Sequence, residues 1–376
     1  MPQEPEPVQP ADYDTNLYYY YGLLSQTEKV VYTQLTDAYR ACETNVKLAC
    51  PVSNEALYCI RDYIRFDQPD LFWTDSMISM KYQNGLVTEV ILHYNSLAEN
   101  LTENQKKVEA AVQKILSGTK GMRPQDQERF VHDYLVSEIV YQSNANDQNI
   151  YSAFVDKQTV CAGYSRAFQY VMQRLGIPCY YCRGYAGNAD KQENHAWNVI
   201  RMNGGWYNVD LTWDDKYQEG WCIDFISYEY FNVTDDFLSL EHARRDVGLL
   251  LPACQDTAAS FDNLYEHSWK EEIAISGAYS IIDNIDVFYR VCYEALMKTG
   301  VGNTVTGFVI TDKEVLTRIF NFGTTREHEN GYVYPFFKDS GLGGNIYYKP
   351  IFDKNGALSS RGTCYFLEIT HIVEKK

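Results

Sequence analysis

Apolar positions recur at helical spacing through Tyr18–Val46, with Leu23, Val30, Leu35 and Tyr39 among them, and predict one long helix. A second helix is expected over Asn54–Phe66, stopped by Asp67-Gln68-Pro69-Asp70. Ser76–Tyr82 and Leu86–Tyr94 then flank Asn84-Gly85, the strongest short hairpin signal. Thr102 reads as the cap of a further helix, Glu103–Leu116, which the stretch from Gly118 to Pro124 breaks.

Farther on, Phe130, Tyr134, Leu135 and Ile139 mark a helix over Gln125–Tyr141, followed by a polar loop, Gln142–Gln148. The segment Ala162–Leu175 carries an apolar stripe of Ala167, Phe168, Val171, Met172 and Leu175, and Gly176 and Pro178 end it. Extended runs come next, at Cys179–Tyr185, Ala196–Met202 and Trp206–Trp213. One buried helix followed by a small antiparallel sheet is an α+β order. Beyond residue 254 strands and helices alternate. Strands are expected at Ile273–Ile282, Val305–Ile310, Asn345–Phe352 and Cys364–Ile372, helices at Ile285–Met297 and Lys313–Phe320, and a turn at Asp353–Gly356. The division that follows is a linker or tether (1–12), a mostly helical module containing a hairpin (13–124), an α+β core (125–254) and a small α/β accessory domain (255–376).

Composition narrows the function classes. The chain has 376 residues with a formal net charge of −17, and no basic stripe offers the counterion release that general nucleic-acid binding requires. No run approaches the ~20 apolar residues of a membrane span. The start, M-P-Q-E-P-E-P-V-Q-P, lacks the basic and apolar regions of a signal peptide and reads as a tether. A secreted or surface-anchored protein without its leader has this look, as does an intracellular protein with a ragged terminus; the expectation leans to the former. Ten cysteines are too sparse for a disulfide-dense scaffold, and their pairing is open.

Three residues carry candidate chemistry. Cys161 stands where the Ala162–Leu175 helix begins, with Ala162 and Gly163 keeping the entrance small. Unpaired backbone N–H groups at a helix start favour a thiolate and can donate to an oxyanion. His195 lies 34 residues on, and Asp210 a further 15. A two-residue turn at Asn203-Gly204 would set Met202 opposite Gly205, Trp197 opposite Asp210 and His195 opposite Thr212, making His195 and Asp210 diagonal neighbours on one face. Nucleophile, base and orienter are then all present: Asp210 fixes the imidazole, and His195 takes the thiol proton and later protonates a departing amine. The scheme needs no metal and no organic cofactor.

V-C-A-G-Y-S-R-A, H-A-W-N-V and Y-N-V-D-L-T-W-D-D, in that order, resemble the core of the transglutaminase-like superfamily over roughly residues 125–235. The resemblance implies a papain-like core in which Cys161, His195 and Asp210 form a catalytic triad. It also implies an oxyanion donor upstream of the cysteine, for which Tyr151 and Gln148 are candidates, and Trp197 is a candidate wall of the cleft. That superfamily contains transamidases, peptidases, glycopeptide amidases and inactive members. The expected function is a thiol-dependent peptidase or amidase acting on peptide or protein, cell-wall peptide included, in the cell envelope. Acyl transfer to an amine and a noncatalytic binding module are the alternatives.

Several other features read as structure. Cys179-Tyr-Tyr-Cys182 leads into a strand and not a helix, so core and surface thiols are expected instead of a redox pair. His132 reads as helix packing under the site. His242, in S-L-E-H-A-R-R-D, reads first as part of a surface helix, with the cleft edge as the other place for it. His93, His267, His328 and His371 have no ligand-spaced company, and the 32 tyrosines are spread through all three units.

Overall fold

Both asparagine–glycine pairs turn the chain through left-handed backbone: Asn84 (φ 52°) with Gly85 (φ 80°), and Asn203 (φ 50°) with Gly204 (φ 91°). The computed structural model describes residues 8–187, 192–215, 228–261, 263–264, 279–310, 313–320, 342–350, 360–361 and 364–375. They fall into two compact units, Met1–Thr212 with Thr234–Asp256, and Trp213–Val233 with Thr257–Lys376. The first residues of the proline-rich start, Cys222, His267, His328, the Asp353–Gly356 turn and the outer ends of the Ile273–Ile282 and Asn345–Phe352 strands lie outside the described residues.

The first unit begins with α1 (Tyr19–Gly22), α2 (Gln26–Arg40), β1 (Asn45–Val52), α3 (Asn54–Asp67), β2 (Thr74–Gln83), β3 (Leu86–Tyr94) and α4 (Leu101–Gly118). The long helix expected over Tyr18–Val46 is therefore two helices and the start of a strand. Ser25 and Glu28 form a capping box that starts α2. At its other end Cys42 takes φ 53° and the Glu43 N–H reaches back to the Ala38 carbonyl, a left-handed closure that terminates the helix. Beyond it Val46, Leu48 and Val52 turn inward with exposed neighbours, a period of two, and β1 pairs antiparallel with β3 in a sheet ordered β1-β3-β2. The Gln34 side chain lies along β1, donating to the Lys47 carbonyl and accepting from the Ala49 N–H, each at 2.8 Å. Thr102 is the second residue of α4 and caps nothing; Asn100 occupies the N-cap position without a side-chain bond.

The unit continues through α5 (Pro124–Glu138), β4 (Val140–Tyr141), a π-helical turn (Ser152–Asp156), β5 (Gln158–Thr159) and α6 (Cys161–Arg174). Next come β6 (Cys179–Ala186), β7 (Glu193–Met202), β8 (Gly205–Val209), α7 (Leu211–Asp214), α8 (Asp235–Leu238) and β9 (His242–Arg244). The strands form one antiparallel sheet, β8-β7-β6-β9. Trp206–Trp213, expected as strand throughout, is strand only to Val209.

α6 is held by a polar seam. A helix leaves its last carbonyls without intrahelical donors. Here side chains of α6 supply them: Arg166 Nη1 donates to the Arg65 carbonyl, Gln169 Nε2 to Phe66 (2.7 Å) and Gln173 Nε2 to Asp67 (3.1 Å). Asp67 in turn accepts from the Tyr20 and Tyr21 N–H groups of α1 at 3.2 and 2.7 Å. Burial pushes its carboxyl up to about 8 against the pull of those bonds.

The second unit contains β10 (Tyr279–Ile282), α9 (Ile285–Thr299), β11 (Gly302–Ile310), α10 (Lys313–Phe320), β12 (Leu342–Pro350), β13 (Ser360–Arg361) and β14 (Cys364–Lys375). Its sheet runs β10-β11-β14-β12, with β13 paired to β14. β10 and β11 are parallel and joined through α9, the α/β arrangement expected of this region. Asn284 caps α9 by accepting from the Val287 N–H, and Phe288, Cys292 and Leu296 are buried on one face.

Gln169 is fully buried, and its loss strands the Phe66 carbonyl. Gln169→Ala should therefore lower unfolding free energy by about 1–3 kcal/mol in urea titrations.

Candidate functional site

Cys161 is the first residue of α6, after Val160 at the N-cap, and its side chain is partly exposed. A side chain at Gly163 would run into Thr159, so glycine lets β5 lie against the first turn. The neighbouring hairpin has the expected two-residue turn, with Met202 opposite Gly205, Val199 opposite Asn208 and Asn198 opposite Val209. That register makes His195 and Asp210 diagonal neighbours, and His195 Nε2 lies 2.6 Å from Asp210 Oδ2. The Cys161 thiol lies within hydrogen-bonding reach of the same imidazole and adds to the rise in its pKa. Thiol, imidazole and carboxylate thus meet, all within the first unit.

Asp210 is 1% exposed and receives three donors. Oδ2 takes Nε2 of His195 and, at 3.0 Å, Nε2 of His242; Oδ1 takes the Thr212 N–H at 3.0 Å. Burial alone would raise this carboxyl, but the two imidazoles hold it well below the usual aspartate range. For His195, burial works to lower the value, whereas the Asp210 carboxylate and then the Cys161 sulfur raise it to about 10. At neutral pH the imidazole is therefore cationic beside the Cys161 sulfur.

His242 lies on β9, not in a surface helix, and is 4% exposed. Its ring centroid is 5.4 Å from those of both His195 and Trp197. β9 can close on β6 because the β6 residue facing it is Gly184: a Cβ there would meet the Ala243 carbonyl and the Trp197 ring. Arg244 locks the arrangement by donating to Asp235 Oδ1 (2.7 Å) and to Asn208 Oδ1 (3.1 Å), which also accepts from Trp197 Nε1 at 3.2 Å. A three-residue strand is too short to show a period, so nothing in the local residue pattern marks β9.

The remaining sequence-predicted residues are placed differently. Trp197 is fully buried and stacks near His195 (6.1 Å, 23°), so it backs the imidazole. Tyr151 immediately precedes the π-helical turn and packs its ring 5.8 Å from Phe72. Gln148 is exposed, bonds Asp147 and lines a cavity containing Arg65 and Arg166. Neither Tyr151 nor Gln148 bonds Cys161. Tyr141, which the sequence reading passed over, is close enough for Cys161, Glu193 and Asp210 to add to the effect of burial in raising its phenol. Cys179 and Cys182 are both fully buried, so neither is a surface thiol, and burial raises both well above the usual thiol range. His132 is fully buried on α5 and bonds Asp133. Donor atoms of His195, Asp210 and His242 lie within 4.8 Å of one another, near enough to converge on a metal ion. Here both Nε2 atoms are directed at the carboxylate oxygen, which makes the group a hydrogen-bonded triad.

Residues 109–211 match the family model of the Transglutaminase-like superfamily, a span that ends one residue past Asp210. That segment is a transglutaminase-like domain. The chain is 27% identical over 94 residues to human (Homo sapiens) kyphoscoliosis peptidase, a match covering 23% of this chain and 14% of that protein. Among solved structures, one described as a TGase is 15% identical, covering 38% of this chain and 46% of the other, with a TM-score of 0.25. The periplasmic domain of TgpA from Pseudomonas aeruginosa is 15% identical, covering 36% and 62%, with a TM-score of 0.23. Among the described residues no helix is long and apolar enough to cross a membrane.

The site sets a pH window for stability. With a folded value of about 10 against an ordinary 6.5, the contribution of His195 is complete below about 6.5 and lost as pH rises through about 10. Asp210, shifted down, contributes above the ordinary 3.8 and loses its contribution as pH falls through its folded value. Urea unfolding at about pH 6 and about pH 10.5 should show an alkaline loss in the wild-type domain that His195→Gln lacks.

Gly184→Ala should cost about 1–3 kcal/mol in the same assay, because β9 and Trp197 must both move to admit the methyl group.

Proposed function

We propose that the transglutaminase-like domain is a thiol-dependent amidase or peptidase with Cys161 as nucleophile, His195 as acid and base, and Asp210 as orienter. The observation that carries this is the single imidazole shared between the Cys161 thiol and a buried carboxylate 2.6 Å away. In this reading the sulfur attacks a peptide or amide carbon, and the first N–H groups of α6 face the oxyanion. His195 gives its proton to the departing amine and leaves a thioester. It then takes a proton from water, which releases the acid and restores the thiol. Partial exposure of Cys161 supports water as the acceptor, since solvent can reach a thioester formed there. Peptide substrates in the cell envelope belong to the same proposal and rest on the sequence resemblance.

Iodoacetamide at neutral pH should alkylate Cys161 faster than an ordinary exposed thiol, with the label absent in Cys161→Ala. Asp210→Asn should lower turnover by about 10²–10⁴-fold while leaving the thiol in place. Equal labelling rates would favour a noncatalytic binding module. With a glutamine-containing peptide and a labelled primary amine, release of product without incorporation is expected; covalent incorporation would make the domain a transglutaminase instead.

A further inference from the structure

Arg166, five residues along α6 from Cys161, is 7% exposed, yet among the described residues no carboxylate pairs with it. Its Nη1 donates to the Arg65 carbonyl, and its guanidinium lies over the Tyr181 ring at 4.4 Å. Its Nε is buried with no hydrogen-bond partner. Buried guanidinium groups ordinarily find an oxyanion, because desolvating an unpaired charge is expensive. Burial, with the nearby charges of Arg65 and Arg183, depresses Arg166 to about 10, which leaves it cationic at neutral pH.

Arg166 lines a cavity of about 270 Å3. Arg65 lines it too, half-buried, and its guanidinium makes no hydrogen bond or ion pair within the described residues. Around them stand neutral amides, Gln68, Asn95, Asn146 and Gln148 among them. Among the described residues a single carboxylate, Asp75, shares the wall, with Oδ1 accepting from the Met77 N–H at 2.9 Å and the Ser76 hydroxyl at 3.4 Å. Two cations against one anion leave the cavity one positive charge in excess, in a chain whose net charge is −17.

We propose that this cavity is a binding site for a carboxylate, held by Arg65 and Arg166. A guanidinium presents paired N–H donors at the spacing of the two carboxylate oxygens, so one planar monoanion satisfies both the geometry and the charge excess. Asp75 disfavours a phosphate dianion in the same space. The carboxylate has two sources, a free small acid or a glutamate side chain of a bound peptide. Tyr181, whose ring lies under the Arg166 guanidinium, is also within electrostatic reach of Cys161. Binding at the two arginines does not require the thiol chemistry.

Isothermal titration calorimetry on the full chain tests it. The probes are butyrate against butyramide, inorganic phosphate, and a blocked Ala-Glu-Ala peptide against its Gln counterpart. Butyrate or the Glu peptide should bind while the amide versions do not, and Arg65→Gln or Arg166→Lys should weaken binding at least about tenfold. Butyrate alone binding assigns the site to a free acid; stronger binding of the Glu peptide assigns it to a substrate side chain. If Arg166→Lys does not fold, Arg65→Gln carries the test, because the Arg65 side chain makes no bond that folding needs. The proposal is overturned if phosphate binds and no carboxylate does, if Glu and Gln peptides bind alike, if either arginine variant folds and binds as the wild type, or if no carboxylate gives heat.

Discussion

Pairing of buried backbone carbonyls across two helices is the constraint on which this unit depends. α3 ends inside the protein, and its last carbonyls would be orphaned there without donors from outside the helix. Arg166, Gln169 and Gln173, at i, i+3 and i+7 of α6, meet Arg65, Phe66 and Asp67 in turn. One face of α6 is thereby fixed to the N-terminal helices while its apolar stripe packs into the core, and Cys161 is held at the exposed end of a helix that has little freedom to turn. Asp67 extends the same logic to α1 through its carboxylate.

The carboxylate at the site obeys a related rule. Asp210 survives as an anion in the interior because three donors converge on it, and two are imidazoles. His195 is the member of the pair beside the Cys161 sulfur, while His242 holds the carboxylate from the other side and is itself held by β9. Behind them Trp197, Asn208, Arg244 and Asp235 form one connected polar layer. The position of the imidazole is thus set by packing and by charge together.

Much of this was legible in the sequence where the determining interactions are local. The two asparagine–glycine turns, the α6 stripe and the Met202–Gly205 register follow from residues near one another in the chain, and that register alone brings His195 to Asp210. The failures have a common cause in long-range pairing. Tyr18–Val46 reads as one helix because Val46, seven residues after Tyr39, falls on the same helical face until β3 is known to lie beside it. His242 is recognisable only once β9 is seen to add to the edge of β6. Arg166 and Gln169 look like polar positions on the solvent side of an amphipathic helix. What they face is another helix end, which no local pattern announces.

Gln34 shows how little is needed to close an exposed edge. β1 borders its sheet, and its outward backbone groups are the kind of surface on which a second molecule could build. The glutamine amide offers one donor and one acceptor at the spacing of a strand and occupies the Lys47 and Ala49 positions itself. Along that stretch a single side chain stands in for a neighbouring chain, and the border is denied as a template for edge-to-edge growth.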